Sequence, residues 1–253
     1  MTDRPLRLFF DVQGEMLEAA RDCEAEVFAD RFGNTAAELD EAYGPYEAHT
    51  HFVAVVDPDG TVAAVMRLIF PGPAGLKTLD DLARPPWSVD PAAAARQAGL
   101  DLESTLDVAT MAVRNGMRRQ GFAASHALAY GLFGAMRVNG IRSMVAMIDA
   151  VPYELLRGIG LMFPAIPGTV SRPYFGSPAT TPIYAQLEPL LDTQARLAPV
   201  AHRAIRHGIG LTGVQVPEPE ALRLSSGRDL PAQVRRAGSP SIQPPARPAS
   251  EMR

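Results

Sequence analysis

Arg118-Arg119-Gln120-Gly121 stands between an apolar run ending at Val113 and a helix-patterned stretch over about 122–138. Where a strand turns into a helix, the first helical N–H groups lack partners, and their partial positive charge suits a phosphate or pyrophosphate. Arg118 and Arg119 add forked donors that match phosphate geometry, and Gly121 lets an anion approach the backbone with no Cβ in the way. The alternative is an ordinary strand-to-helix turn with solvated arginines. The turn itself is not a Walker loop, since no Gly-Lys-Ser/Thr follows, and it carries no Gly-x-Gly-x-x-Gly pattern.

Glu103 and Asp107 are the carboxylates nearest that turn on its N-terminal side. Asp107 interrupts the apolar run Thr105-Leu-Asp-Val-Ala-Thr-Met-Ala-Val113, and in a strand it shares a face with Thr105 and Ala109. Unpaired, its pKa rises toward the range useful to a general base. The alternative is a salt bridge to Arg67 or Arg142 across a sheet. Cys23 falls among the core positions of a helical pattern and reads as a small buried thiol. His49-Thr-His51 has the spacing that puts both imidazoles on one face of a strand. No Cys or carboxylate cluster completes a ligand set at a recognisable spacing, so no metal is expected.

These residues need a scaffold, and the apolar patterning supplies one. It predicts a strand over 6–12, helices over 13–32 and 35–43, and a hairpin with strands 51–56 and 61–70 joined by Asp57-Pro-Asp-Gly60. Residues 71–99, rich in Pro, Gly and Ala, read as mostly loop with a helical turn at 76–82. Strand 105–113, helix 122–138, strand 142–148, helix 152–158 and a β-like stretch over 169–187 follow. This order predicts an α/β domain with a mixed central sheet and helices on both faces, over residues 1–187. A helical extension over 188–210, broken by Pro199, comes next. Residues 211–253 carry seven prolines and no aromatic residue, and are expected to be a disordered tail.

The 253 residues are 47% hydrophobic, enough to bury a core. The net charge is −4, and the tail holds six arginines against four acids, so the folded part is the more acidic. That balance excludes a general nucleic-acid binder. Lys77 is the only lysine in the chain. A single cysteine and the lack of a basic, apolar leader lead to the expectation of a cytoplasmic protein, and no apolar run approaches the ~20 residues of a membrane span.

Arg118-Arg-Gln-Gly121-Phe-Ala123 resembles the Arg/Gln-x-x-Gly-x-Gly/Ala signature of the GNAT acyltransferases, which bind the pyrophosphate of coenzyme A at that turn. The element order is similar to theirs over about residues 6–187. A narrower resemblance, to acyl-homoserine-lactone synthases and N-acyl amino acid synthases, rests on Glu38-Leu-Asp40, Arg67-Leu68 and Met162-Phe-Pro-Ala-Ile-Pro-Gly168. Two features depart from that branch: its early Arg-x-x-x-Phe reads Glu24-x-x-x-Phe28 here, and its Glu-x-Ser-Arg strand motif has no counterpart near residues 103–108.

The resemblance implies N-acyl transfer from a pantetheine thioester, acyl-CoA or acyl carrier protein, to a small-molecule amine. Arg118, Arg119, Gln120, Gly121, Phe122 and Ala123 would hold the pyrophosphate, and the backbone of Met111, Ala112 and Val113 the pantetheine arm. Glu103 or Asp107 would serve as general base and Arg67 would meet the acceptor. The family's proton-donating tyrosine aligns with Leu156, which leaves Tyr153, one turn earlier, as its substitute. Met66, Met111, Met144, Met147 and Met162 would line an acyl tunnel or fill the core. A catalytically inactive acyl-CoA sensor or scaffold is the alternative.

Overall fold

The computed structural model describes residues 4–115 and 121–225. The sheet is organised around the predicted hairpin, β2 (Thr50–Val56) and β3 (Val62–Ile69), with β1 (Leu6–Phe10) antiparallel to β2. Asp57 closes the turn by accepting the N–H groups of Asp59 and Thr61, both at 2.9 Å, and Gly60 takes φ +92°. Adding β4 (Thr105–Val113), β5 (Ser143–Asp149), β6 (Arg172–Tyr174), β7 (Ser177–Gln186) and β8 (Val214–Gln215) gives eight strands among the described residues, in the order β6-β7-β5-β4-β3-β2-β1-β8.

Strand alternation divides the core between the two faces. Leu8, Val53, Val55, Ala64, Met66, Leu68 and Leu106 face α5 (Gly121–Val138), α7 (Leu187–Leu197) and α8 (Pro199–His207). Gly131 lets α5 lie close to the sheet, because a Cβ there would stand 2.7 Å from Val53 Cγ1. On the opposite face Phe52, Ala54 and Val65 pack with Cys23 of α1 (Glu15–Phe32), and Ile69 packs with Leu39 and Tyr43 of α2 (Ala36–Tyr43). Val145 of β5 meets α3 (Lys77–Leu82) and α4 (Pro91–Gln97) on that face. Helices therefore cover both sides of a mixed sheet, the predicted architecture.

Two expectations are corrected. Residues 71–99 hold a second helix besides the predicted turn at 76–82: Asp90 accepts the N–H groups of Ala92 and Ala93, and Pro91 opens α4. Residues 211–225 are not a tail without structure. Gln215 and Val214 pair β8 in parallel with β1, Leu222 is fully buried, and Asn139, just after α5, bonds both Leu222 O and Leu224 N at 2.9 Å. Residues 226–253, the remainder of that expected tail, lie outside the described residues. The helical extension is two helices, α7 and α8, parted at Ala198–Pro199, and Leu190, Leu191 and Ile205 join the same core as α5.

Candidate active site

β4 and β5 run parallel and pair from Thr105–Ser143 to Val108–Ala146. There the ladder stops. β4 stays with β3 as far as Val113, and β5 stays with β7 as far as Asp149, so the sheet opens between its two central strands. A β-bulge sits at the opening. Arg67 pairs with Thr110 and the next β3 residue, Leu68, pairs with Val108, which leaves Ala109 as the extra residue of β4.

The bulge resets the alternation that strict strand geometry predicts. Leu106 and Val108 belong to the core on the α5 face, and so does Val113, whereas Ala112 packs with α1 on the other. Asp107 and Thr110 therefore both point away from α5. Beyond the bulge Met111 is 41% exposed, Ala112 is buried and Val113 is half-buried. These three residues form the edge of β4 along the gap. α5 begins at Gly121, with Phe122 exposed and Ala123 half-buried. Arg118, Arg119 and Gln120 lie outside the described residues.

Asp107 is fully buried, and the predicted ion pairs to Arg67 or Arg142 do not form. Its carboxyl instead receives the backbone N–H of Thr78 at 2.6 Å and the Thr78 hydroxyl at 2.9 Å. Burial pushes its pKa up to about 7, although the Thr78 bonds and the charge of Lys77 pull it down. Glu103 is exposed in the short turn before β4. At ~3.3 Å of rise per strand residue it stands roughly 20 Å from the bulge, so the structure does not bring it to the gap.

Arg67 is buried and its partner is Glu24 of α1, which receives Nε at 3.0 Å and Nη2 at 2.5 Å. Thr110 donates its hydroxyl to the same carboxylate. The rings of Tyr43 and Phe52 cover the guanidinium, each with its centroid 4.7 Å away, and Glu47 lies 3.8 Å from Nη1. Arg142 pairs with Asp101 near the surface. Lys77, at the start of α3, bonds Asp81 at 2.6 Å and the Tyr174 hydroxyl at 2.8 Å, among the rings of Tyr43, Tyr174 and Phe175. Burial and the neighbouring Asp81 raise the Tyr174 pKa, which keeps that hydroxyl protonated. Tyr43 donates to the carbonyl of Ala109 at 3.4 Å, tying this cluster to the bulge.

Sequence reasoning passed over Glu24, Tyr43, Lys77 and Tyr174 as site residues. The one signal was that Lys77 is the sole lysine in a chain that otherwise uses arginine.

The remaining candidates fall elsewhere. Tyr153, on α6 (Ala150–Gly158), donates to the Phe163 carbonyl at 2.7 Å. Glu38 accepts from Thr35 N at 2.7 Å in a capping box that starts α2. The five methionines do not share one cavity: Met66 and Met144 are in the α5-side core, Met147 packs on the opposite side, and Met111 and Met162 are exposed. His51 is paired with Asp11 at 2.7 Å, and His49 precedes β2 in a 3-10 turn, so the two imidazoles do not flank one strand position. Cys23 is buried, which pushes its thiol up to about 11.

This fold, a split central sheet with helices on both faces, has a counterpart among solved structures. Among solved structures the chain is similar to FeeM, an N-acyl amino acid synthase from uncultured soil microbes. The TM-score is 0.54 at 14% identity, over 74% of this chain and 94% of that one. It also aligns with BjaI, a CoA-dependent acyl-homoserine lactone synthase, at TM-score 0.48 and 15% identity over 86% and 96% of the two chains. A GNAT superfamily phosphinothricin acetyltransferase from Sinorhizobium meliloti aligns at 0.45 and 13%, over 71% and 88%. No family model matches the sequence, and neither does any curated protein.

Proposed function

We propose that the chain transfers an acyl group from a pantetheine thioester, carried by coenzyme A or an acyl carrier protein, to an amine. The observation that carries this reading is the end of β4–β5 pairing at Val108–Ala146, five residues before β4 itself ends. An opened sheet edge offers backbone groups in the alternating pattern that the two amides of a pantetheine arm can bond, as an added strand would. Met111, Ala112 and Val113 supply that edge. Gly121 opens α5 where the N-terminal amides suit the donor's phosphates, with Phe122 and Ala123 in its first turn. Arg118, Arg119 and Gln120 belong to the same proposal on their sequence.

The acceptor is assigned to the face away from α5, where Asp107 points. Its nitrogen attacks the thioester carbonyl, the N–C bond forms, the C–S bond breaks, and sulfur leaves as thiolate. The ammonium must first lose a proton. Asp107, one residue before the opening and with its pKa near neutrality, is the carboxyl suited to take it. Tyr153 has its hydroxyl engaged by Phe163, and a thiolate needs no acid to depart, so Tyr153 is assigned to holding the loop after α6.

Thermal shifts with coenzyme A, acetyl-CoA and palmitoyl-CoA, followed by free-thiol release over an amine panel, test the reading. Stabilisation by a thioester together with amine-dependent thiol release is expected. The absence of both, with acyl carrier protein thioesters also inert, overturns it. Binding without thiol release identifies an inactive acyl-CoA-binding protein instead.

A further inference from the structure

At ~1.5 Å of rise per residue, α5 carries Arg137 roughly 24 Å from Gly121, so its far end stands apart from the sheet opening. A cavity of about 290 Å³ lies at that end. Tyr130 and Arg137 of α5, Arg206 and His207 of α8, and Pro217 and Glu218 of the segment after β8 line it. His207 and Glu218 are exposed, so the cavity is open to solvent. The Tyr130 hydroxyl donates to the Pro217 carbonyl at 2.9 Å and fixes one wall.

Arg137 is the group in this cavity whose bonding is incomplete. Its Nη2 donates to the Arg206 carbonyl at 3.0 Å, but its Nε is buried with no partner among the described residues, and no described carboxylate forms an ion pair with it. Glu188, whose charge reaches Arg137, is committed to Arg206 at 2.9 Å. Burial and the charge of Arg206 lower the Arg137 pKa, as for a guanidinium that lacks its anion. The carbonyls at the end of α8 do not supply a partner either: Gly208 N–H takes Ala204 O at 3.0 Å and Ile209 N–H takes Arg203 O at 3.2 Å. Glu218 is the one acid among the lining residues, and its charge acts on Tyr130, whose pKa burial and then Glu218 raise. A buried N–H left unused on a cation costs free energy that an incoming anion would recover.

We infer that this cavity is a second ligand site, which takes a small molecule through an oxyanion group, phosphate or carboxylate, paired with Arg137 and flanked by Arg206 and His207. Its volume is at the small end of the ~300–1,000 Å³ usual for ligand pockets. The walls come from three separate elements, so an occupant ties residues 216–219 to α5 and α8 and stabilises the fold by mass action. The inference does not depend on the N-acyl-transfer reading.

Thermal unfolding of the full chain with inorganic phosphate or succinate, sodium chloride holding the ionic strength constant, tests it. The variant Arg118→Ala/Arg119→Ala is the background, so that the arginines proposed for the donor's phosphates do not report. A saturable rise in Tm is expected, and the anion that half-saturates at the lower concentration identifies the head group. Adding Arg137→Gln is expected to raise the half-saturating concentration at least about tenfold, as for the loss of a charged hydrogen-bonding partner. No saturable rise with either anion overturns the inference. A rise that Arg137→Gln leaves undiminished comes from an ion bound elsewhere and overturns it as well.

Where Arg137→Gln does not fold, Glu218→Gln keeps the question decidable, because Glu218 is exposed and its amide leaves the wall in place. Removing that acid is expected to lower the half-saturating concentration by about threefold, the scale of a single exposed charge. An unchanged or higher concentration contradicts the site.

Discussion

Asp107→Asn separates the chemistry of the bulge from its architecture. The carboxyl is fully buried and burial raises its pKa to about 7, while an unfolded chain titrates near ~3.9. Between those values the unfolded state releases a proton that the folded state keeps. Stability contributed by Asp107 is therefore complete below pH ~4 and falls as pH rises, reaching its loss near pH 7. Three pKa units at ~1.36 kcal/mol each set the full effect at about 4 kcal/mol.

Asparagine preserves the shape and can still accept the Thr78 N–H, but it does not titrate. Urea unfolding of both proteins at pH 4.5, 5.5, 6.5 and 7.5 is the assay. The stability of the wild type minus that of the variant should decline by roughly 1.4 kcal/mol per pH unit below neutrality and level off above it. A flat difference, or one that grows with pH as for a carboxylate ionised throughout, refutes the reasoning. Turnover should fall by roughly 10²–10⁴-fold, the usual contribution of a general base, and the limb of the pH–rate profile near 7 should disappear.

Tyr153→Phe removes one hydrogen bond, to Phe163 O, so it should cost about 1 kcal/mol in unfolding and keep thiol release within about tenfold. A proton donor's removal would instead cost roughly 10²-fold or more. Gly176→Ala places a Cβ 2.5 Å from the Phe32 carbonyl oxygen at a residue with φ +83°, next to Phe175. It should destabilise by about 1–3 kcal/mol and raise the acceptor KM while leaving the donor KM unchanged, as initial rates at varied acceptor would show. Leu222→Ala should cost about 2–5 kcal/mol in chemical denaturation, because a fully buried side chain on α5 is lost. A cost under about 0.5 kcal/mol, the range of ordinary surface changes, would place residues 211–225 outside the cooperative fold.

What was legible in the sequence followed from local pattern. Asp57-Pro-Asp-Gly60 fixes its own turn through short-range hydrogen bonds, so the β2–β3 hairpin needs no tertiary information. The strand 105–113 and the helix after it were equally readable, because their apolar runs are long. α4 was hidden since Pro91 and four alanines resemble loop composition, although Asp90 followed by Pro91 is a helix start. Residues 211–225 were hidden for another reason. Val214, Leu222 and Leu224 are too sparse to suggest burial, and they are held by partners more than 80 residues away, as when Asn139 brackets Leu222 and Leu224. The Arg67–Glu24 pair joins residues 43 apart and leaves no periodic trace.

The bulge at Ala109 joins these observations physically. In an unbroken strand, residues three apart point to opposite faces, so Asp107 and Thr110 could not both leave the α5 side. With no extra residue, Thr110 would enter the apolar core beside α5, and the Glu24 carboxylate would lose a donor while remaining buried with Arg67. One inserted residue puts the polar side chains of β4 on the face that holds Glu24, Lys77 and Thr78, and returns Val113 to the core. The β4–β5 ladder ends at Val108, the residue before the insertion. The same local irregularity thus coincides with the opening of the sheet and collects the polar side chains beside it, which is why neither property could be read from the alternation of the strand by itself.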